Sequence, residues 1–215
     1  MKKTNQPMTK TTAELILGKQ ILFLVKPALI PVFFQLLGQG FTVNVRTGVS
    51  VKDLVCGQLG INESYFEERI QTILLNARAV DDVNSSIVSE GSTLALSGAM
   101  PGLVGVTLRR GGFYAAMRSE ISHDKIKFSA QQGKGPVIIK LFNLVVKQLG
   151  PNFLQQGVWL KAKQLHDFVA SNLEILERGC KSAKLDGQDI KVNQILGIDF
   201  GDNLVNLKLK TESKS

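Results

Sequence analysis

Between Glu90 and Ser122 the chain reads EGSTLALSGAMPGLVGVTLRRGGFYAAMRSEIS, with six glycines and one proline in the stretch. Glycine loses the most backbone entropy on ordering, so neither a long helix nor a long strand runs easily through such a segment. The chain must turn here, and regular elements must be assembled on either side. Glycine also lets the backbone approach a ligand, and exposed N–H groups beside Arg109, Arg110 and Arg118 suit an anion. Gly98, Met100, Gly102, Gly105 and these three arginines are the candidate ligand-binding residues, on a loop spanning 98–118. Arginine forks match phosphate and carboxylate. No catalytic triad, metal cluster, Walker loop or dinucleotide fingerprint accompanies them, so the signal is for binding.

Around this stretch the pattern is α+β. Gln20–Val25 is a continuous apolar run suited to a buried strand. Pro27 opens a helical pattern through Leu29/Ile30, Phe33/Phe34 and Leu37 that stops at Gly38, with Pro31 shortening or bending it. Phe41–Val45 alternates as a strand, and Ser50 is a fair N-cap for a helix through Val51, Leu54, Val55 and Leu59. Ile70–Leu75 reads as a strand, Asn76 as a turn and Ala79-Val80 as a return strand. Glu90-Gly91 turns again into Thr93–Leu96. Phe113–Arg118 is a brief helix or strand.

SAQQGKG, residues 129–135, is the best linker, which divides the chain into a tail at 1–11, a unit at 12–128 and a second, smaller α+β unit at 136–210. In that second unit Ile138, Leu141/Phe142, Val145/Val146 and Leu149 form one helical stripe closed by Gly150-Pro151. Val158–Leu160 is a short strand, and Leu165, Phe168/Val169, Leu173 and Leu176 make a second stripe ending at Gly179. Leu185-Asp186-Gly187 signals a hairpin, and Leu204, Leu207 and Leu209 a last strand. LLGQG…VKDLV in the first unit corresponds to QLGPN…QLHDFV in the second, which suggests a topological duplication.

The net charge of +8 is unevenly placed. Lys125 to His166 carries seven lysines and no acid, whereas Glu63 to Glu90 carries six acids against two arginines. A lysine-rich segment is either a solvated face or the footprint of an anionic partner. Cys56 and Cys180 lie in no CxxC, which argues against a disulfide framework and for a reducing, cytoplasmic setting. Only His123 and His166 could join a metal site, so no metal or other cofactor is expected. The apolar run from Leu15 to Leu37 contains Lys19 and Lys26 and two prolines, so no membrane span is expected.

Phe33 to about residue 97 resembles the ubiquitin-like β-grasp sulfur carriers, namely the small subunit of molybdopterin synthase and the thiamine-pathway carrier. The resemblance rests on Leu37-Gly38, Phe41 to Val45, Gly48-Val49-Ser50-Val51-Lys52-Asp53-Leu54, Ile73-Leu74-Leu75-Asn76, Val80 and Gly91-Ser92-Thr93-Leu94-Ala95-Leu96. It implies a β-grasp fold. It does not carry the sulfur chemistry, which needs a free terminal Gly-Gly, because Gly111-Gly112 is followed by Phe113 and the rest of the chain.

The residues thus point to a non-catalytic binding or assembly module for an anionic small molecule or an acidic protein surface, acting through the 98–118 loop. Two alternatives stay open. One is an enzyme using Cys56 or the acidic residues near Asp81, among them Asp82, Glu67 and Glu68. The other is a nucleic-acid-binding protein, since Arg109-Arg110-Gly111-Gly112-Phe113-Tyr114 is similar to RNA-binding Arg-Gly-Gly segments.

Overall fold

In the strand Gln20–Val25 (β1), Ile21, Phe23 and Val25 are buried while Leu22 and Leu24 are half-buried and Gln20 is exposed. This is the period of two that sends successive side chains to opposite faces of a sheet. The structure, a computed structural model, describes residues 18–113 and 132–211. The expected tail at 1–11, Arg118 and all but the first residue of the Phe113–Arg118 element lie outside the described residues.

After β1 a 3-10 turn at Pro27–Phe33 leads into α1 (Phe34–Gln39), and β2 (Phe41–Thr47) follows. The short β3 (Val49–Ser50) enters a wide π-helical stretch, Asp53–Gln58, where Ser50 Oγ accepts from the Asp53 N–H at 3.0 Å as an N-cap does. Next come α2 (Glu63–Arg69), the hairpin β4 (Thr72–Leu75) and β5 (Arg78–Ala79), then β6 (Ile87–Val88), β7 (Thr93–Ser97) and α3 (Gly102–Leu108). The second part of the chain runs β8 (Gly133–Phe142), α4 (Asn143–Gln156), β9 (Val158–Lys161), α5 (Ala162–Ser171) and α6 (Leu173–Gly179). It ends with β10 (Cys180–Leu185), β11 (Gln188–Ile190) and β12 (Leu204–Thr211).

Ten of these strands form one mixed sheet in the order β11-β10-β1-β12-β9-β2-β8-β7-β4-β5. The fold is therefore α+β, and the expected units 12–128 and 136–210 share the sheet. β8 lies between β2, its antiparallel partner, and β7, its parallel partner. β1 lies between β12, parallel, and β10, antiparallel. Outward from the β2/β9 junction, both sides show the same succession of antiparallel, parallel, antiparallel and antiparallel pairings. Both end in a two-residue hairpin with positive φ, at Asn76-Ala77 (51° and 64°) and Asp186-Gly187 (49° and 87°), the turn whose twist matches paired strands.

The helices cover one face. Ile139, Leu141, Phe41, Val158, Leu160, Val205 and Leu207 point into that core with Val145 and Leu154 of α4 and Leu165 and Val169 of α5. Phe33 meets Phe23 at 5.7 Å and Phe168 at 5.0 Å, so aromatic packing joins the two parts of the chain. No helix among the described residues is long and apolar enough to cross a membrane.

Several expectations are corrected. Ile138 to Phe142 is the end of β8, not the start of a helix, because Val137, Ile139 and Leu141 alternate inward and the β-branched run finds partners on both sides. The linker is shorter than 129–135, since Gly133 to Gly135 pair with Thr47 to Val45. Pro136 is tolerated in β8 because its ring nitrogen faces the side where β7 has not yet begun, and its carbonyl accepts from the Gly91 N–H at 2.7 Å. The α4 helix does not close at Gly150-Pro151 but continues to Gln156. Gly150 lies so close to Phe34 and Leu37 that a Cβ there would be 3.1 and 3.0 Å from them, and this packing holds the helix through the proline. The first helix runs past Gly38 and stops at Gly40, whose φ is +116°. The α2 helix, which buries Phe66, had no counterpart in the pattern analysis.

The interleaving has a consequence for fragments. A chain ending at residue 128 lacks β8, leaving β2 and β7 with unpaired inner edges, and should not fold alone. Mixed with the fragment from 129 onward it should regain the far-ultraviolet circular dichroism of the intact protein. Cooperative unfolding of the first fragment alone would contradict the strand order.

Candidate functional site

The glycine-rich stretch is drawn onto the molecule by its own polar groups. The Arg110 guanidinium donates from Nη2 to Glu67 Oε2 at 2.7 Å and lies 4.9 Å from the Phe66 ring centre, with 14% of the side chain exposed. Its backbone N–H donates to the Gln71 carbonyl at 2.8 Å. The Gly111 N–H donates to Asp81 Oδ1 and the Gly112 N–H to the Arg109 carbonyl. The backbone donors of Arg110, Gly111 and Gly112 are thus taken within the protein. Gly98 is buried against α4, where a Cβ would sit 3.3 Å from that of Leu144. Gly105 is required because a Cβ would come within 1.9 Å of the Met100 carbonyl oxygen. Gly102 starts α3 with φ +77°, so part of the 98–118 loop is helical. Arg109 is exposed. This segment leaves Leu103 and Val104 75% and 67% exposed.

The residues of the enzymatic alternative are also engaged. Burial first, then the Glu63 carboxylate, pushes the Cys56 thiol pKa up, with Lys52 acting against them. A raised pKa lowers the share of thiolate that a nucleophile needs. Asp82 Oδ1 accepts from the Asn84 and Ser85 N–H groups and shapes a turn. His166 packs against Phe200 with the rings tilted and their centres 5.2 Å apart, and His123 lies outside the described residues. Among the described residues no group of three His, Cys, Asp or Glu could hold a metal ion.

Charge gathers instead on the sheet face that carries no helices among the described residues. Alternation puts Thr42, Asn44 and Arg46 of β2 on this face, opposite Ile138, Pro136 and Lys134 of β8. Lys140 lies further along β8, beside Ala95. β9 adds Trp159 and Lys161, opposite Asn206 and Leu204 of β12. Lys208 and Lys210 follow on β12 and flank Leu22 and Leu24 of β1, with Lys184 of β10 across Leu22. Among the described residues, seven cations therefore share one face with a single strand acid, Asp189, whose carboxylate is 3.4 Å from Lys184 Nζ. The sequence signal was present in the lysine-only stretch from 125 to 166. Which of its lysines share a face became visible only with strand register, and Lys208, Lys210 and Lys184 lie outside the stretch altogether.

A cleft opens in the middle of this face. β2 and β9 are paired through one residue pair, Thr42 with Trp159, so the two sides of the sheet part on leaving it. The cleft measures about 490 Å³ and is lined by Gln39, Gly40, Thr42, Thr93, Ile138, Lys140, Trp159 and Lys161, together with Lys163, Gln164 and the acid Asp167 of α5. Gln164 Nε2 donates to the carbonyls of Gly40 (2.9 Å) and Leu36 (3.3 Å), tying α5 to the approach of β2. Gly40 allows the Lys140 stem to lie across it, since a Cβ would be 3.3 Å from that stem and 2.9 Å from Ile138 Cγ2. Gly18 similarly leaves room for Trp159, whose Cζ3 would be 2.7 Å from a Cβ there. Lys163 is paired with Asp167 at 2.7 Å. A second cleft of about 480 Å³ sets Arg46 against Asp53 and so offers no single sign of charge.

No protein-family model matches the chain, and neither the curated proteins nor the solved structures provide a match.

Burial also pushes the Cys180 thiol pKa up to about 11. At pH 8 its thiolate fraction is then about two orders of magnitude below that of an unperturbed thiol. Alkylation of the native protein by iodoacetamide should be slow at Cys180 by that factor and slowed at Cys56, with ordinary rates after denaturation. Rapid native-state labelling of Cys56 at pH 7 would revive it as a nucleophile.

Proposed function

We propose that the protein is a non-catalytic binding module that recognises an anionic ligand or the acidic surface of a protein partner on the helix-free sheet face and in its junction cleft. The observation that carries this reading is the seven-to-one excess of cations over acids on that face, with Lys140 and Lys161 on either side of the cleft. Like charges held on one rigid surface raise the local potential and favour encounter with an opposite charge. The 98–118 segment contributes less, because Arg110 is committed to Glu67 and Phe66. The free thiols of Cys56 and Cys180 support a reducing, cytoplasmic setting.

The test separates the two locations. Lys140→Gln combined with Lys161→Gln should elute from a heparin column at clearly lower salt than the wild type, with unchanged thermal unfolding. Arg110→Ala should elute with the wild type but lose about 1–2 kcal/mol of stability through the lost ion pair and cation–π contact. An earlier elution of Arg110→Ala alone would return the site to the 98–118 segment, and unchanged elution of both would remove the anion-binding reading.

A finer reading of the fold rests on topology. Each side of the junction is a β-grasp-like unit, and the two are related by duplication. The element orders β1-α1-β2-helix-β4-β5-β7 and β8-α4-β9-helix-β10-β11-β12 support this, as do the matching pairing signs. The units differ in one respect, because β8 lies next to β2 whereas β1 lies next to β10. The kinship is one of topology, since Gly111-Gly112 sits within the chain and offers no terminal carboxylate. Residues 133–142 fused ahead of 41–97 should form an independent five-stranded unit with cooperative thermal unfolding, and a fusion that stays unfolded would count against the β-grasp reading.

A further inference from the structure

We propose that the helix-free face is a track for single-stranded nucleic acid, with one base seated beside Trp159 in the junction cleft. The inference rests on the anion-binding reading and adds the class of ligand.

The first argument is extent. The cations occupy β8, β2, β9, β12 and β10, with β1 between the last two. Five inter-strand steps of about 4.8 Å carry them over about 24 Å. A compact anion touches two or three cations, whereas a linear polyanion can follow the whole row. A second copy of this chain would bring the same positive face and be repelled.

The second argument is the composition of the cleft. An acidic peptide needs cations and backbone partners but no aromatic wall. A single nucleic-acid strand alternates charge with flat rings, and aromatic side chains beside a basic groove are how such strands are held without sequence preference. Here Trp159 lines the cleft together with Lys140 and Lys161, which lie on the strands either side of β2, and Thr42 and Thr93 add hydroxyl groups to the same lining. The half-buried Leu22, Leu24, Ile138 and Leu204 on the same face provide apolar surface for neighbouring sugars and bases. The third argument is shape. A sheet face about 24 Å across is too wide to read base edges in a major groove about 12 Å wide, whereas the unpaired bases of a single strand can reach the cleft.

Trp159 is the only tryptophan in the chain, so its fluorescence reports the cleft directly. The intact protein is titrated with a 15-nucleotide oligothymidylate, with its duplex, with a 15-residue polyglutamate and with inorganic polyphosphate. Oligothymidylate should quench the emission and bind with log K falling by about 0.7 per log salt for each phosphate contacted. Lys140→Gln with Lys161→Gln should reduce that slope by about 1.4. Trp159→Phe, followed by the anisotropy of dye-labelled oligothymidylate with unlabelled polyphosphate as competitor, should weaken oligothymidylate about tenfold and leave polyphosphate unchanged; if this variant fails to fold, the wild-type quench and the lysine slopes decide. Lysine-dependent binding of polyphosphate or polyglutamate without quenching by oligothymidylate would overturn this inference and leave the anion-binding reading intact. Tighter binding of the duplex would also overturn it. Failure of all four ligands to bind would remove both.

Discussion

The central constraint in this structure is that neither part of the chain completes its own half of the sheet. β8 fills the gap between β2 and β7, and β1 fills the gap between β12 and β10. A strand in either place satisfies backbone donors and acceptors on two edges at once, and a buried edge left open would lose those hydrogen bonds. The pairing is long-range in sequence, since Val45 opposes Gly135 and Leu22 lies beside Lys208. Folding must therefore close large loops before these contacts are made, a topology associated with slow folding. The aromatic contacts of Phe33 with Phe23 and Phe168 secure the same union from the helical side.

One-sided coverage follows from this sheet and leads to the charge pattern. With α1, α4 and α5 packed on the core face, the opposite face needs solubility, and lysine provides it while its stem covers part of the apolar surface beneath. Solubility alone would admit acids as readily, yet the strands place one acid there against seven cations. Neighbouring like charges repel across a Debye length of about 8 Å at physiological salt. Such a surface stores unfavourable energy that an anionic ligand relieves. The single-pair contact between β2 and β9 adds a concave place where lysines, hydroxyls and an indole meet.

The glycine-rich segment has a different use. Gly105 permits a contact that any side chain would block, Gly98 lets Leu144 pack closely, and Arg110 spends its charge on Glu67 and its plane on Phe66. A motif with the composition of an anion site thus becomes, in its described part, a device for fastening a short helix to α2. Arginine next to glycine is ambiguous in sequence, because the nearest acid in space lies 43 residues earlier in the chain.

What the sequence determined by itself was local. The apolar run of β1, the alternation of β2, the Ser50 cap and the turns at Asn76 and Asp186 all depend on residues within a few positions of one another. The α+β class follows from them. The break at Asn172 that divides the stripe from Leu165 to Leu176 into α5 and α6 did not show in the helical spacing. Tertiary structure decided the rest. Val137 to Phe142 satisfies both a helical and a strand period, and only the waiting edges of β2 and β7 made it a strand. Pro151 ends a helix by its own chemistry, but packing of Gly150 against α1 carried α4 through it. The lysines were legible as a run. Their gathering on one face was not, because register and strand order join positions more than a hundred residues apart, and no local pattern records which strand will lie beside which.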